Sequence, residues 1–279
     1  MPSFAYRSAP TLPPPPRVLD TTTTGVWLLQ ALCGIETLPG VLGLRPWVAA
    51  GGPPGPGEWI DTLTRAGVLV DNRSVHPTVA SWVQALGAPD VALCATIRRD
   101  GGDLALVIAR RDRLHVGAAR HGDDVTLEQI DGVTGVRDIV ERVLPLCGPG
   151  VPAVFDPMCL PFTALADANA KRVTGEPRPL SGLGLSAPQK RLLAAAADEA
   201  TMTAGFVVVA HGRRGERIAL MSASVIDTGL GRLVCGPTRG GDRTLRARIV
   251  PGTTSAAGRA VEAVVESIGV DWLRHRRDT

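Results

Sequence analysis

The chain has 279 residues, a net charge of +3, 44% hydrophobic and 20% charged residues, an ordinary globular composition that excludes disorder throughout and suits one large core or two modest ones. Its longest apolar runs, such as Leu104 to Ala109 and Phe206 to Ala210, fall far short of the ~20 residues that cross a bilayer. No basic region followed by an apolar block opens the chain, its five cysteines form no CxxC pair, and a weak basic balance with few aromatic rings speaks against nucleic acid. We therefore expect a cytoplasmic protein with reduced, mostly buried thiols and neither nucleic acid nor membrane as partner.

Residues 1–20, with Pro10 and the run Pro13-Pro14-Pro15-Pro16, read as an extended, mobile tail. Thr21 to Thr24 then offer caps to a helix through Val26, Trp27, Leu29 and Leu32 that stops near Gly34. Gly40 to Trp47 is too punctuated for a helix and leads into a loop from Gly51 to Gly57. Trp59, Ile60 and Leu63 begin a second helix that ends at Gly67. A third runs from Pro77 to Leu86 with Val79, Trp82, Val83 and Leu86 as its buried stripe and Gly87 as a left-handed stop. Strands follow over Val91 to Ile97, Leu104 to Ala109, Leu114 to Ala119 and Val125 to Ile130, joined by hairpin-sized connections. Val136, Ile139, Val140 and Val143 close the half with an amphipathic helix.

The second half repeats this order roughly 120 residues later. Helices near Pro161 to Arg172 and Ala187 to Ala200 come first, the latter opened by a capping box of Ser186 and Gln189. Strands at Ala204 to Ala210, Arg217 to Ile226, Arg232 to Cys235 and Thr244 to Ile249 follow. A last helix carries Val261, Val264, Val265 and Ile268 on one stripe. The pattern predicts an α+β protein: a central antiparallel sheet flanked by helices, with a pseudo-twofold repeat of helix, helix, four strands, helix. The repeats span 21–150 and 151–279 within one compact domain. Because Leu104 to Ala109 and Phe206 to Ala210 are apolar on both faces, a single shared sheet covered by helices is favoured.

One motif invites a catalytic reading. Asp227-Thr228-Gly229 after the apolar Val225-Ile226 is the tripeptide of aspartic proteases, whose chemistry needs two carboxylates sharing a proton. The chain holds one copy, so this hydrolase alternative requires a dimer. A hairpin turn, with Asp bonding its own backbone and glycines supplying positive φ, is favoured instead. Histidines are scattered singly, and neither a Walker loop nor a Gly-x-Ser-x-Gly elbow occurs, so no catalytic residue, metal or cofactor is expected. The basic runs His211-Gly212-Arg213-Arg214 and Arg274-His275-Arg276-Arg277 read as a solvated hairpin tip and a solvated tail, or else as contacts to an acidic protein surface.

Several stretches together resemble a known family. Ser222-x-Ser224-Val225-Ile226-Asp227-Thr228-x-x-Gly231-Arg232-Leu233-Val234, then Pro237 and Pro251-Gly252-Thr253, is similar to the C-terminal half of the EspG family, ESX (type VII) secretion-associated proteins of actinobacteria. Gly25-Val26-Trp27-Leu28-Leu29-Gln30, Leu42-Gly43-Leu44-Arg45-Pro46 and Pro77-Thr78-Val79-Ala80-x-Trp82 match the N-terminal half in order. The resemblance implies a cytosolic chaperone rather than an enzyme. Such a chaperone grips the end of the PPE helical bundle in PE–PPE heterodimers, keeps them soluble and delivers them to an ESX system. It also implies a central antiparallel sheet between two helical bundles, and leaves a weak homodimer of the free protein open. In some relatives a long first hairpin loop helps hold the partner, whereas Arg98 to Asp103 leaves little to reach with. Partner contacts are expected on the sheet around Val207, Ser222 and Ser224, at the Arg213-Arg214 tip, near Arg246, and on a bundle of Pro161 to Ala200 with the last helix.

Overall fold

The computed structural model describes residues 16–44, 56–70, 74–241 and 244–277. The first half runs β1 (Val18–Thr22), α1 (Thr23–Leu32), a 3-10 turn (Gly40–Leu42), α2 (Pro56–Arg65), α3 (Pro77–Gly87), β2 (Val91–Arg99), β3 (Leu104–Arg111), β4 (Leu114–His121), β5 (Asp124–Gln129) and α4 (Val136–Val143). The second runs β6 (Met158–Pro161), α5 (Phe162–Val173), α6 (Ala187–Asp198), β7 (Met202–Gly212), β8 (Gly215–Ile218), β9 (Ala223–Thr228), β10 (Gly231–Arg239), β11 (Leu245–Pro251) and α7 (Thr254–Ser267). All named strands join one antiparallel sheet in the order β1-β5-β4-β3-β2-β7-β9-β10-β11-β6, with β8 also on β7.

That order is mirrored about its centre. β2 and β7 pair along nearly their full length, Val91 opposite Ala210 through Arg99 opposite Met202, and each half's strands fan outward from this seam. Odd-numbered residues of β2, namely Val91, Leu93, Ala95 and Ile97, pack with Phe206 and Val208 of β7 under α4 and α7. The other face divides. Over the N-terminal strands α1, α2 and α3 build a core around Leu29, Leu63 and Trp82, whereas Met158, Leu160, Leu192, Leu233 and Ile249 form a smaller one with α6 on the C-terminal strands. The helices are thus placed by which side of a period-two strand is apolar at each position.

Local signals explain most boundaries. Thr22 caps α1 by accepting from the Gly25 N–H, the capping box of Ser186 and Gln189 opens α6, and Thr253 accepts from the Ala256 N–H at the start of α7. Gly87 does not supply the left-handed stop expected of it: it lies inside α3, and Ala88 is the cap. A Cβ there would collide with the Ile35 side chain, so glycine serves close approach rather than turn geometry.

Three other expectations change. Val18 to Asp20, assigned to the tail, belong to β1, which pairs with β5; residues 1–15 lie outside the described residues, as do Arg45 to Gly55. Pro56 and Gly57, expected in a loop, open α2. The single strand expected over Arg217 to Ile226 breaks into β8 and β9. Phe206 still faces Ala223, but the next bond runs from the Ala219 N–H to the Val208 carbonyl, so Leu220, Met221 and Ser222 bulge out opposite Val207.

The C-terminal run is docked, not solvated. Asp90, 5% exposed, accepts from the side chain of the fully buried Arg110 at 3.1 Å and from the backbone N–H groups of Asp112 and Arg277 at 2.8 Å each. Arg110 also donates to the carbonyls of Asp112 and His275. His275 contacts the His211 carbonyl through Nε2 at 2.7 Å, and Trp272 stacks on His115 while donating to its Nε2 at 3.2 Å. A pair this buried needs its remaining polar atoms bonded, and the tail backbone supplies two of those bonds while Arg110 Nε is left without a partner among the described residues.

Burial, with Arg110 nearby, pushes His115 down to about 4, so the ring is neutral when Trp272 donates to it. In the unfolded chain the same histidine titrates near 6.5. As pH falls from 6.5 toward about 4 the unfolded state takes up a proton that the folded site refuses, and stability falls with it. Thermal unfolding followed at pH 7 and pH 5 should therefore show a larger loss in the wild type than in His115→Gln; the comparison removes the similar contribution of His211, which burial also lowers.

Candidate partner-binding groove

The divided helical layer leaves the seam of the sheet uncovered on one face. There Cys94 of β2 lies opposite Val207 of β7, Ala92 opposite Val209 and Thr96 opposite Gly205, all on the side away from α4 and α7. These residues floor a groove of about 550 Å³. One wall is the segment Thr37 to Val41 with Leu86 and Gly87 at the end of α3; His211, Glu216 and Ile218 line it from β7 and β8. Gly205 carries no side chain and so lowers the floor. The bulge opposite Val207 turns Ala219 and Met221 inward and throws Leu220 out to 91% exposure, while Ile218 stands 58% exposed.

Chemically this groove is apolar and unreactive. The Cys94 thiol is raised to about 11 by burial and secondarily by the Glu216 carboxylate, so it is neutral and packs as a small hydrophobe. His211 is lowered mainly by burial, and its Nδ1 lies 3.5 Å from Glu216. Such a surface binds by excluding water from apolar side chains rather than by performing a reaction.

The expected contact residues do not all converge. Val207 is on the floor and Ser224 lies opposite Gly205 on the same face. Ser222 is exposed in the bulge, and Arg213 and Arg214 form the exposed tip between β7 and β8, just beyond His211. Arg246 is separate: it alternates on β11 with the buried Ala247 and Ile249, and Ile249 packs on the α6 side, so Arg246 projects from the opposite face, 3.5 Å from the Thr244 hydroxyl. The bundle also needs correction, since α7 packs with α4 across the sheet and leaves α5 and α6 as the C-terminal pair. Between those two helices runs a second, apolar trough of about 650 Å³ lined by Leu165, Ala168, Leu180 and Leu193. Ile218 and Leu220 escaped notice because the broken strand is invisible to period-two counting; Ala219 to Ser222 carries neither glycine nor proline as a warning.

Asp227 takes part in a different structure. It grips Arg232, directly opposite on β10, through both carboxylate oxygens at 2.6 and 2.7 Å. Arg232 donates on to the Gly148 carbonyl, and its backbone bonds Val151 and Ala153, so the linker between halves is pinned to the β9–β10 hairpin. Gly150 and Gly252 leave room for the Arg232 side chain, where a Cβ would collide with it. In the turn, Thr228 rather than Asp227 makes the local bond, accepting from the Leu230 N–H at 3.0 Å, and Gly231 rather than Gly229 takes positive φ. Among the described residues no three His, Cys, Asp or Glu side chains gather to hold a metal ion, and no helix is long and apolar enough to cross a membrane.

The sequence model of the EspG family matches residues 22–263. The chain is 31% identical to the ESX-1 secretion-associated protein EspG1 of Mycobacterium tuberculosis, over 93% of this chain and 91% of that protein. It is 29% identical to the ESX-3 secretion-associated protein EspG3 of Mycolicibacterium smegmatis, over 91% and 88% respectively. Among solved structures, the M. tuberculosis type VII secretion system chaperone EspG5 in complex with the PE25–PPE41 dimer superposes with a TM-score of 0.80, covering 92% of this chain and 99% of that chain at 20% identity. That likeness establishes the fold.

Removing one partner of a buried ion pair strands the other, at a cost of about 3 kcal/mol. Asp227→Ala should lower the urea-unfolding free energy by roughly that amount, and pairing it with Arg232→Leu should recover part of the loss.

Proposed function

Because the chain belongs to the EspG family, we propose that it is a cytosolic chaperone which binds a PE–PPE heterodimer and delivers it to an ESX type VII secretion system. The observation that carries this reading is the open seam: an apolar groove floored by Cys94, Val207 and Val209 on the same fold as EspG5, a chaperone solved in complex with a PE–PPE dimer. A helical bundle that ends in apolar side chains aggregates until those side chains are covered, and a rigid sheet with a recessed centre covers them with little loss of conformational entropy. In this reading the end of the PPE bundle seats on Val207, Gly205 and Ser224, with the exposed Ile218 and Leu220 at the margin and the α5–α6 pair as flank. Asp227 has no catalytic part in it, since its carboxylate is committed to Arg232. The short β2–β3 turn, where Arg98 pairs with Asp103 at 3.5 Å, contributes little reach.

Co-expression with PE–PPE pairs from its own genome, followed by size exclusion, should yield a stable ternary complex with at least one pair. Val207→Arg should weaken that complex at least 10-fold, about 1.4 kcal/mol or more, without lowering the melting temperature, because the site is partly open. A wild-type protein that captures none of these pairs would sink the reading.

A further inference from the structure

Two basic runs that lie far apart in sequence meet at one end of the molecule. The contact of His275 with the His211 carbonyl brings the tail against the β7–β8 hairpin, and the Arg277 N–H on Asp90 holds it there. Arg213 and Arg214 project from the hairpin, Arg274 and Arg277 from the tail, and all four are exposed. The β3–β4 turn adds Arg111 and Arg113, with its Asp112 3.6 Å from Arg276. Among the described residues exposed carboxylates are fewer here: besides Asp112 there are Glu216, beside His211, and Asp271, which accepts from its own turn's Leu273 and Arg274 N–H groups. This basic excess does not follow from the repeat, because the pseudo-symmetric counterpart of the β7–β8 tip, the turn Asp100-Gly101-Gly102-Asp103, carries carboxylates instead.

We propose that this arginine-rich end is an interaction surface for an acidic protein segment. It is continuous with the groove through His211 and Glu216, which line both, so a ligand leaving the groove on this side meets it directly. The cations are all guanidinium groups, which pair carboxylates bidentately. An acidic peptide is favoured over nucleic acid because, among the described residues, no exposed aromatic ring stands beside the arginines for a base to stack on; Trp272 is buried against His115. The groove floor supplies apolar burial, with the Glu216 carboxylate only at its rim, so this end would add long-range attraction and direction. The surface itself does not depend on the identity of the groove's occupant; only its role in orienting that occupant rests on the chaperone reading.

The test is fluorescence anisotropy with the full chain and a labelled twelve-residue peptide of alternating Glu and Gly, beside a dT12 oligonucleotide and phosphatidylglycerol–phosphatidylcholine vesicles. The wild type should bind the peptide at low salt and release it as salt rises. Arg214→Glu/Arg274→Glu/Arg277→Glu should weaken binding at least 10-fold, whereas Arg65→Glu/Arg248→Glu/Arg259→Glu, with the same change in net charge, should change it less than 2-fold. Val207→Arg should leave peptide binding intact, which separates failure of this surface from failure of the groove. Equal losses in the two triple variants, absence of peptide binding at low salt, or tighter binding to dT12 or vesicles would each overturn the proposal. Circular dichroism of every variant confirms that it is folded.

Discussion

The pairing of β2 with β7 is the constraint from which the rest follows. Each half alone would present a sheet edge of apolar residues with unpaired backbone groups, and the seam converts two such edges into the middle of one sheet. Both strands are therefore apolar on both faces, with Val91, Leu93 and Ala95 turned to α4 and α7, and Ala92 and Cys94 turned the other way. Once the halves are fused, their helices over the second face lie on the outer strands, and the centre has no helix of its own. The groove is a by-product of the repeat.

The seam is held from both ends by segments outside the strands. Arg232, gripped by Asp227, ties the linker between the halves to the β9–β10 hairpin; the buried Asp90 and Arg110 tie His275 and Arg277 to the first strand of the seam. Two ion pairs that contribute little net stability by themselves thus fix where otherwise irregular chain runs. This is also why the Asp-Thr-Gly tripeptide is misleading. Its carboxylate is positioned by strand register against an arginine, and the local turn bond is made by the neighbouring threonine.

The regular parts of the fold were legible in the chain because they obey a period. Strands from Val91 to Gln129 and the buried stripes of α3, α4 and α7 follow alternation or the 3.6-residue repeat, and the capping box of α6 announced itself by residue type. What escaped was set by contacts between distant residues. β1 and β6 are short edge strands, the first read as part of a proline-rich tail and the second ending on Pro161, which read as the start of a helix; the bulge at Leu220 to Ser222 arises from pairing with β7; the tail gains its structure from Asp90, more than a hundred residues away. The candidate site was half legible: Val207 and Ser224 fall on the groove side, but Arg246 turns to the opposite face because a shift of one residue along a strand reverses direction.

Pseudo-symmetry has a cost for any ligand that must bind in one direction. The backbone of a floor built from β2 and β7 looks nearly the same after half a rotation, with Cys94 exchanging places with Gly205 and Thr96 with Val207. An apolar ligand reading only that floor could lie either way round. Polarity has to come from what the repeat does not copy: the bulge at Leu220, present on one side alone, and the unlike turns at the two ends. The difference between the two pseudo-symmetric halves is here the source of handedness in recognition.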